Sequence, residues 1–591
     1  MNKRIRSIRQ LALTTSILTF SLSPRLWADT GAVSLTAGPL TTVPLTTAPL
    51  TAAEAAQATI VGTDEPFASD AVYFVLTDRF VDGDPANNYP AQGGQQPTFD
   101  QRLIGPDGRQ ANVGYLGGDF RGLLDNADYI RDMGFTAVWL TPIVDNPNEA
   151  FSGGDQVEFG GWGDRGKTGY HGYWGVNFYR EDEHLVSARL GFRELTRQLQ
   201  QQHGLKTVLD VVANHGSPSF DMPQDQPMFG EVYDAEGQLR ADHQNLLPPQ
   251  LTPEQEPLHA FFHAEGDPHT AQLSNFNEDN EALQDYLINA YLYWIDQGAA
   301  AFRIDTVKHM PHHFWKLFGD RIRQQHPGFF MFGESYNWEA EKLAEHTWPE
   351  NGGMSVLDFA GRQAMVSVFE NSDSHFASLL DYLHLDDGLY RNPYELMTFY
   401  DNHDMSRMNA TEQGFIDANN WLFTSRGIPV VYYGSEVTFM AGTREHEGNR
   451  NYFGQQRIDA APGHPVYQQL KQIARLRQQH VALQRGVQVN LDFQQHTASF
   501  LRVYQQGGVS ETALVLLNKG DSPAPISVEP PVSGPWQRVT PACAADHCQP
   551  DVTAGRITTT LAPHSVMVLI SSQPVSNPKW SQWRPEQDSG A

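Results

Sequence analysis

The chain has 591 residues, long enough for two or three domains and a large buried core. Its 41 basic residues are outnumbered by 69 acidic ones, so the formal net charge is −28. A surface of this sign repels phosphate backbones and anionic lipids, so we expect neither nucleic acid nor a membrane surface as a partner, whereas a neutral polymer is compatible with it.

The first 28 residues have the organisation of a secretory signal peptide. Basic residues between Lys3 and Arg9 precede an apolar run from Leu11 to Leu22, and Ala28 offers a small residue at the cleavage point. The run is too short to span a membrane comfortably. We therefore predict an exported protein, periplasmic or extracellular, without a membrane span; its oligomeric state is open.

The chain contains two cysteines, Cys543 and Cys548. In an exported protein they are predicted to close a small disulfide loop, with two free thiols as the alternative. Two cysteines alone make a poor metal site.

Residues 29–66 are rich in Thr, Ala, Pro and Leu, and their near-repeat PLTTVPLTTAPLTAA indicates a disordered linker. From residue 67 onward, short apolar runs alternate with amphipathic stretches. The eight runs are AVYFVL, TAVWL, KTVLDVV, AAFRI, FFMFGE, SVLDF, LMTFY and IPVVYY. Strands that are apolar on both faces and alternate with helices are typical of a parallel sheet covered by helices. The pattern predicts an α/β fold, a (β/α)₈ TIM barrel formed by residues 67–213 and 281–485.

Three further segments complete the predicted domain organisation. Residues 214–280, rich in Pro, Gly, His and Asp, are predicted to form an irregular subdomain inserted after the third strand. Residues 486–572 contain alternating runs such as SFLRVY, TALVLLN and SVMVLIS, which predict a C-terminal antiparallel β-sandwich domain. Residues 573–591 are predicted to be a loose tail.

Polar residues follow four of the predicted barrel strands, where a barrel of this kind carries its active site. The third strand leads from Asp210 to Asn214 and His215, the fourth carries Arg303 and Asp305 and is followed by Lys308 and His309, the fifth ends in Glu334, and the seventh leads to Asp401, Asn402, His403 and Asp404. Placing polar groups at the ends of apolar strands is costly unless they have a function.

Asp305 and Glu334 suit the two carboxylates of glycoside hydrolysis. Because Arg303 and Asp305 are two residues apart on a strand, both side chains point to the same face. An adjacent Arg favours the ionised Asp305 that a nucleophile requires, and nearby carboxylates would raise the pKa of Glu334, as a general acid requires. The alternative is a buried Arg–Asp ion pair that only stabilises the barrel; polar residues at four coordinated strand ends make that less favourable.

The segments DVVANH, FRIDTVKH, GES and DNHD, in this order, resemble the four motifs of glycoside hydrolase family 13, the α-amylase family. The resemblance covers residues 70–572 and extends to bacterial α-amylases and cyclodextrin glucanotransferases through TDRFVDGDPANN, YLGGDFRGL, TGYHGYWGVNF and TSRGIPVVYYGSE. It implies that Asp305 is the nucleophile, Glu334 the acid and base, and Asp404 a third carboxylate that holds sugar hydroxyls. The double displacement would retain the α configuration.

The resemblance also implies a set of substrate-binding residues. Arg303 would orient Asp305, His215 and His403 would hydrogen-bond the sugar, Tyr173 would stack on it with His171 nearby, and Lys308 and His309 would meet the leaving side of the glucan. Arg450 is a further candidate substrate-binding residue. The expected partner is an α-glucan polysaccharide or oligosaccharide.

Oxygen donors crowd the loop after the first strand and are predicted to bind Ca²⁺, which takes six to eight oxygen ligands. The candidate ligands are Asp82, Asp84, Asn87, Asn88, Gly117 and Asp119. The alternative is an Asp/Asn/Gly turn without a metal. Resemblance to the family implies a second calcium site from Asn214, the His309 carbonyl and Asn275. Because Asn275 stands where the family often has an aspartate, we expect this second ion to bind weakly, if it binds.

Several departures from the glucanotransferases favour water as the acceptor. Ala271 stands where those enzymes carry a central aromatic residue, Ser335 and Tyr336 replace Trp-Phe after the acid, and one β domain follows the barrel where they have further domains. A folded N-terminal domain typical of cyclomaltodextrinases and neopullulanases is also not evident. We therefore predict an α-amylase-type hydrolase of α-1,4-glucosidic bonds in starch, maltodextrins or related α-glucans. The alternatives are a transglycosylase, or a non-catalytic glucan-binding protein, which the three carboxylates disfavour.

Overall fold

The computed structural model describes residues 59–93, 97–264, 272–532, 534–540, 551–553 and 555–576. The predicted signal peptide, most of the predicted linker and tail, and the Cys543–Cys548 pair lie outside the described residues, so export and the disulfide stay predictions. Within the described part of the chain, no helix combines the length and the apolar character that crossing a membrane requires.

Eight parallel strands form the barrel that the apolar runs predict. They are β1 (Val72–Val75), β2 (Ala137–Leu140), β3 (Lys206–Val211), β4 (Ala301–Ile304), β5 (Phe330–Gly333), β6 (Ser355–Val356), β7 (Met397–Thr398) and β8 (Ile428–Tyr432). They pair in the order β6-β5-β4-β3-β2-β1-β8-β7. A parallel bridge between Leu357 and Met397 joins the two outer strands and closes the barrel. The fold is a TIM barrel, as predicted.

Helices cover the outside of the barrel because each buries one apolar stripe against the strands. The α-helices of the described residues are α1 (Phe120–Asp125), α2 (Ala127–Asp132), α3 (Phe192–Gln198), α4 (Glu281–Asp296), α5 (His312–Gln325), α6 (Ala340–Ala344), α7 (Phe359–Phe369), α8 (Glu412–Thr424), α9 (Gln455–Ala460), α10 (Pro465–Gln479) and α11 (Val481–Arg485). In α5, Phe314, Phe318 and Ile322 recur every four residues and are buried. Asn280 and Asp358 cap α4 and α7 by accepting hydrogen bonds from backbone N–H groups of the first turn.

The segment after β3 and the loop after β2 pack together at the carboxyl ends of the strands. Residues His215–Pro218 pair with Leu273–Asn275, and Glu231–Tyr233 pair with Leu239–Asp242. A small separate core joins the two segments, formed by Phe151, Trp174, Met222 and Phe229. This subdomain therefore lies at the end of the barrel that carries the strand-end residues.

The C-terminal domain is an antiparallel β-sandwich, as predicted. One sheet has the strands β9 (Val487–Phe493), β10 (Thr497–Gln506), β11 (Val509–Asn518), β13 (Gln537–Thr540) and β16 (Ser565–Ser571), and the other has β12 (Ala524–Val528), β14 (Asp551–Thr553) and β15 (Arg556–Leu561). Apolar side chains such as Leu514, Ile557 and Leu569 form the core between them. Buried Arg502 donates to the carbonyl of Thr424 at 2.9 Å, which fixes the sandwich to the barrel.

The structure corrects the inner ends of the predicted linker and tail. Ile60 is fully buried and exchanges two backbone hydrogen bonds with Gln505, at 2.8 and 2.7 Å, and residues Pro66–Ser69 form a 3₁₀ turn. Val575 is also buried and donates to the side chain of Gln505 at 2.8 Å. Ile60 and Val575 are therefore anchored to the sandwich through Gln505 of β10, by its backbone and by its side-chain oxygen respectively.

Candidate active site

Arg303 brings the ends of three neighbouring strands together. Its side chain is fully buried, and its Nη1 donates to Asp210 Oδ1 at 2.8 Å and to Asp305 Oδ1 at 2.7 Å. Its Nη2 lies 2.9 Å from Glu334 Oε1. Asp305 and Glu334, predicted from separate motifs, thus contact two nitrogens of one guanidinium group, which places them at a common site in the barrel mouth.

Glu334 is a buried carboxyl group whose surroundings favour its protonated form. Burial raises the pKa of Glu334 well above its ordinary value; the positive charge of Arg303 opposes this, while the negative charges of Asp305 and Asp404 add to it. The contact with Arg303 lacks hydrogen-bond geometry, so Glu334 Oε1 has no hydrogen-bond partner among the described residues. A protonated carboxyl with a free oxygen is what a general acid requires.

Asp404 joins the cluster from the loop after β7 and is held by Arg450. Arg450 Nη2 donates to Asp404 Oδ1 at 2.6 Å, and its Nε donates to the carbonyl of His403 at 3.0 Å. The side chain of Asp404 is 28% exposed, more than Asp305 at 8% or Glu334 at 5%. Asp404 therefore presents a fixed carboxylate toward the solvent side of the site, where a substrate would enter.

Aromatic and imidazole rings form one wall of the site. The rings of Tyr173 and His403 stack with centroids 5.3 Å apart, and the Tyr173 hydroxyl donates to Asp210 Oδ2 at 2.8 Å. His171 accepts the Tyr173 N–H through Nδ1 at 3.1 Å, while its buried Nε2 has no hydrogen-bond partner among the described residues. The free nitrogen of His171 is available to a hydroxyl group of a ligand.

The remaining predicted contacts lie around this wall. His215 is buried beside Asn214, with 3.2 Å between Asn214 Nδ2 and His215 Nδ1. Lys308 and His309 are exposed in the turn after β4, and Lys308 Nζ donates to the carbonyl of Tyr336 at 2.8 Å. Lys308 therefore links the turns that follow β4 and β5.

The backbone is strained directly after Asp305, at a residue that contacts Glu334. Thr306, directly after Asp305, has a φ of +48°, a left-handed conformation that a β-branched residue rarely adopts. In this conformation its N–H points to Glu334 Oε2 at 3.3 Å. Backbone strain of this kind persists where surrounding contacts fix it, and it clusters at functional sites.

Two acidic groups at the site have no role in the sequence-based assignment. Asp210 binds Arg303, Tyr173 and Trp139, and burial raises its pKa to about 7. Glu445 lies 2.7 Å from Arg450 Nη1. Asp210 could be found from its position at a strand end, whereas Glu445 lies in a loop and no local pattern marks it.

The loop after β1 has the arrangement expected of an oxygen-ligand metal site. Three Oδ1 atoms, those of Asp82, Asn87 and Asn88, are buried and have no hydrogen-bond partner among the described residues. Gly117 has a φ of +87°, and a Cβ built on it would lie 2.4 Å from Asn88 Oδ1 and 2.9 Å from Asp82 Oδ2. Asp119 organises the loop by accepting the N–H groups of Gly83, Asp84 and Gly122 at 3.1, 2.8 and 2.7 Å. The residues fit a hard cation, with Asp119 also supporting the loop and Asp84 capping a short turn.

Two of the three residues predicted to bind a second ion lie close together. Asn214 and Asn275 are adjacent, since the N–H of Phe276 donates to the carbonyl of Asn214 at 2.9 Å, and Asn275 Oδ1 is buried without a hydrogen-bond partner among the described residues. His309 lies in the turn after β4 and is exposed. Elsewhere, Asp182, Glu183 and His184 bring possible ligand atoms within 4.8 Å, but His184 already contacts Asp182 at 2.8 Å, which accounts for that group as an ion pair.

Curated relatives of this chain are cyclomaltodextrin glucanotransferases. The chain is 27% identical over 509 residues to that of Klebsiella oxytoca, covering 77% of this chain and 71% of the relative. It is 28% identical over 487 residues to that of Thermoanaerobacterium thermosulfurigenes (79% and 62%) and 30% identical over 448 residues to that of Bacillus sp. (strain 1011) (73% and 57%). The chain thus spans 57–71% of the length of these relatives.

Solved structures with the same fold include both amylases and glucanotransferases. An Anoxybacillus α-amylase is 22% identical with a TM-score of 0.65, covering 87% of this chain and 100% of that chain. CldA, described as the first cyclomaltodextrin glucanotransferase with a three-domain ABC distribution, is 26% identical with a TM-score of 0.68, covering 85% and 99%.

The family model for the α-amylase catalytic domain matches residues 74–461, which is more than half of the chain. That range contains the second half of β1, the other seven barrel strands and the cluster of Asp305, Glu334 and Asp404 around Arg303 and Arg450. The chain belongs to glycoside hydrolase family 13, the α-amylase family.

Proposed function

We propose that this protein is a retaining glycoside hydrolase that cleaves α-1,4-glucosidic bonds in starch, maltodextrins or related α-glucans, an α-amylase-type activity. The observation that supports this most is the sharing of one buried guanidinium, that of Arg303, by Asp305 and Glu334. Asp305 accepts a hydrogen bond from Arg303 Nη1 at 2.7 Å, and burial raises the pKa of Glu334. This division suits a nucleophile and an acid.

In the proposed reaction, Asp305 Oδ attacks the anomeric carbon while Glu334 gives its proton to the glucosidic oxygen. The glucosidic bond breaks, the shortened glucan leaves with the proton, and an ester joins the sugar to Asp305. Glu334, now ionised, takes a proton from water as the water attacks the same carbon, which releases the sugar with α configuration and restores both carboxyl groups. Asp404, fixed by Arg450, would hold hydroxyl groups of the sugar.

Transfer to a second glucan is the other candidate reaction, because the curated relatives are glucanotransferases. A single β domain after the barrel does not distinguish hydrolysis from transfer, since CldA is described as a three-domain glucanotransferase. Hydrolysis is favoured by Ser335 and Tyr336 after the acid, and by Ala271 at the position of the central aromatic; Ala271 lies outside the described residues. A small buried Ser335 and a half-exposed Tyr336 leave the acceptor side less aromatic than the Trp-Phe pair would.

The two reactions differ in their products from soluble starch. Purified protein is incubated with starch, and the products are separated chromatographically. Linear maltooligosaccharides are expected. Cyclic glucans as the main product would show that the reaction is cyclising transfer and not hydrolysis. Unchanged starch, under conditions that keep the protein folded, would contradict both reactions and favour a glucan-binding protein.

We further propose that the loop after β1 binds one Ca²⁺ through Asp82, Asn87, Asn88 and the Gly117 carbonyl, with Asp84 and Asp119 beside it. The unpaired buried oxygens support this, because a cation would compensate the charge and dipoles that now face one another. The ion would supply structural positive charge to the loop and no chemistry to the reaction. A second ion at Asn214, Asn275 and His309 has weaker support, since Asn275 contributes no charge.

A further inference from the structure

A cavity of about 580 Å³ lies at the amino-terminal end of the barrel, opposite to the candidate active site. Phe330 and Ser355, the first residues of β5 and β6, line this amino-terminal cavity together with residues of the segment 59–66 and with Gln506 at the end of β10. Its volume lies in the range of pockets that hold small molecules. Neither the proposed reaction nor the proposed calcium site uses it.

Two arginines converge on one wall of this cavity. Arg323, near the end of α5, and Arg391, ahead of β7, both line it. A Cβ built on Gly353 would lie 3.6 Å from Arg323 Nη2 and 3.7 Å from Arg391 Nη1, so the two guanidinium groups lie beside the same residue. Burial lowers the pKa of Arg323, and although the charge of Asp320 opposes this, the charge of Arg391 adds to it. The wall therefore concentrates positive charge in a chain whose formal net charge is −28.

These arginines keep hydrogen-bond donors that the protein does not use. Arg323 Nη2 donates to the carbonyls of Gly352 and Gly353 at 2.5 and 2.9 Å, which fixes the guanidinium group, whereas its Nη1 lies 3.8 Å from Asp320. Arg391 is exposed, and only its backbone N–H is paired, with Thr347 Oγ1 at 3.1 Å. Its side chain has no hydrogen-bond or ion-pair partner among the described residues. The free donors of both side chains are available to an anion.

The three acidic side chains that line the cavity, those of Asp64, Glu65 and Glu395, already accept hydrogen bonds from the protein. Glu395 Oε1 accepts two, from Thr63 Oγ1 at 2.7 Å and from Asn392 Nδ2 at 3.0 Å. Asp64 and Glu65 each accept one at 2.9 Å, from the side chain at the end of β10 and from a backbone N–H of the 3₁₀ turn that follows. Burial raises the pKa of both glutamates, which favours their uncharged forms. The unused charge of the cavity is therefore that of the two arginines.

A phosphate group matches this wall. The planar guanidinium group presents paired N–H donors that fit two oxygens of a phosphate, and two adjacent cations suit a dianion better than a single negative charge. The cavity is larger than a phosphate ion, so it also has room for a small polar substituent. We propose that Arg323 and Arg391 bind the phosphate group of a small ligand, inorganic phosphate or a phosphate monoester, in the amino-terminal cavity. This site is separate from the proposed hydrolysis and does not depend on it.

Isothermal titration of the wild-type protein tests for the ligand. The probes are inorganic phosphate, glucose 6-phosphate, glucose and acetate, near neutral pH, where the phosphate groups are mostly dianions. Both phosphates should bind, and glucose and acetate should bind at least about tenfold more weakly or not at all. Tighter binding of glucose 6-phosphate would identify a monoester as the ligand, and tighter binding of inorganic phosphate the free ion. Absence of binding by both phosphates, or acetate binding as tightly as they do, would overturn the proposal.

Substitution of Arg391 locates the bound phosphate. Arg391→Gln should weaken phosphate binding about tenfold or more, because charge-assisted hydrogen bonds to a phosphate are strong, and the fold should persist because this side chain has no partner to lose. Arg321→Gln is the matched control, since Arg321 lies on the same helix as Arg323 but pairs with Asp285 at 2.6 Å, and it should bind phosphate like the wild type. Equal affinities in Arg391→Gln and Arg321→Gln would overturn the site. Hydrolysis of starch should be unchanged in Arg391→Gln, so failure of this site and failure of the proposed function give different results.

Discussion

Arg303 is the residue on which the electrostatics of the site depend. Three carboxyl groups, those of Asp210, Asp305 and Glu334, surround its single positive charge in a buried setting. One cation cannot stabilise three adjacent anions away from water, so at least one carboxyl group is driven to keep a proton. Glu334 has the poorest hydrogen bonding of the three and an additional negative neighbour in Asp404, which assigns the proton to it.

This assignment predicts the pH dependence of hydrolysis. Glu334 must be protonated to act, so kcat/KM should fall as the pH rises through its raised pKa, which keeps the enzyme active well above pH 4.5, the ordinary pKa of a glutamate. Asp404→Asn removes a negative charge that raises this pKa, so the alkaline limb of the residual activity should move to lower pH. The profile is measured with maltoheptaose, and Asp459→Asn, an exposed carboxylate on α9, is the control. An alkaline limb that stays in place or moves upward would contradict the assignment.

At the scale of elements, the arm formed by residues 151–167, between β2 and β3, supports the site through a chain of paired charges. Lys167 Nζ lies 3.2 Å from Glu445 Oε1, and Arg450 is shared between Glu445 and Asp404 at 2.7 and 2.6 Å. Burial disfavours the charge of Glu445, but the adjacent cations Arg450 and Lys167 outweigh it and hold the pKa of Glu445 well below its ordinary value. Lys167 thus gives Glu445 a second positively charged partner, so that Arg450 can also hold Asp404.

Lys167 is therefore a positioning residue. In Lys167→Met, Arg450 should be drawn toward Glu445 and release Asp404, which lowers kcat about tenfold or more with a smaller change in KM, because small displacements of catalytic groups are costly. Lys167→Arg should restore most of the activity. Lys342→Met, which removes an exposed lysine paired with Glu345, should have no effect. Wild-type kcat in Lys167→Met, with the fold intact by circular dichroism, would show that Asp404 does not depend on this chain of charges.

The elements differ in how far the sequence predicts them. Each barrel strand was predictable because it is a short apolar run, and β1 and β2 are buried at every position. The barrel topology brings the strand ends together independently of the loop conformations. Arg303, Asp305 and Glu334 could therefore be assigned to one site from the sequence. The contact between the arm and the site could not be predicted from the sequence, because Lys167 and Glu445 are 278 residues apart and their pairing arises only in the folded chain.

At the scale of the whole molecule, composition was a weaker guide than pattern. The Thr- and Pro-rich composition before residue 67 indicates disorder, yet Ile60 pairs with Gln505 in the sandwich. Backbone pairing of one or two residues leaves no compositional trace, because any residue except proline supplies the N–H and C=O that it needs. The predicted β-sandwich was correct because β10, β11 and β16 are long apolar runs that are buried over most of their length.

The proposed calcium ion should stabilise the whole barrel, since it binds the folded loop and not the unfolded chain. Excess chelator should lower the melting temperature by a few degrees, and added Ca²⁺ should restore it. Gly117→Ala should remove this response, because the new Cβ would occupy the space between Asn88 and Asp82. Gly108→Ala is the matched control, with a similar φ of +83° and nothing within 4 Å of the added Cβ, and it should keep the response to Ca²⁺. A melting temperature that ignores both chelator and Ca²⁺ would contradict the site.

The most direct test of the catalytic account is to trap the sugar on the protein. Glu334→Gln is incubated with α-maltosyl fluoride, whose leaving group needs no acid, and the ester should accumulate because no base activates water. Peptide mapping by mass spectrometry should then find the maltosyl adduct on Asp305, and the adduct should be absent from Glu334→Gln/Asp305→Asn. An adduct on another carboxylate, or turnover of the fluoride to β-maltose without any adduct, would contradict the roles given to Asp305 and Glu334.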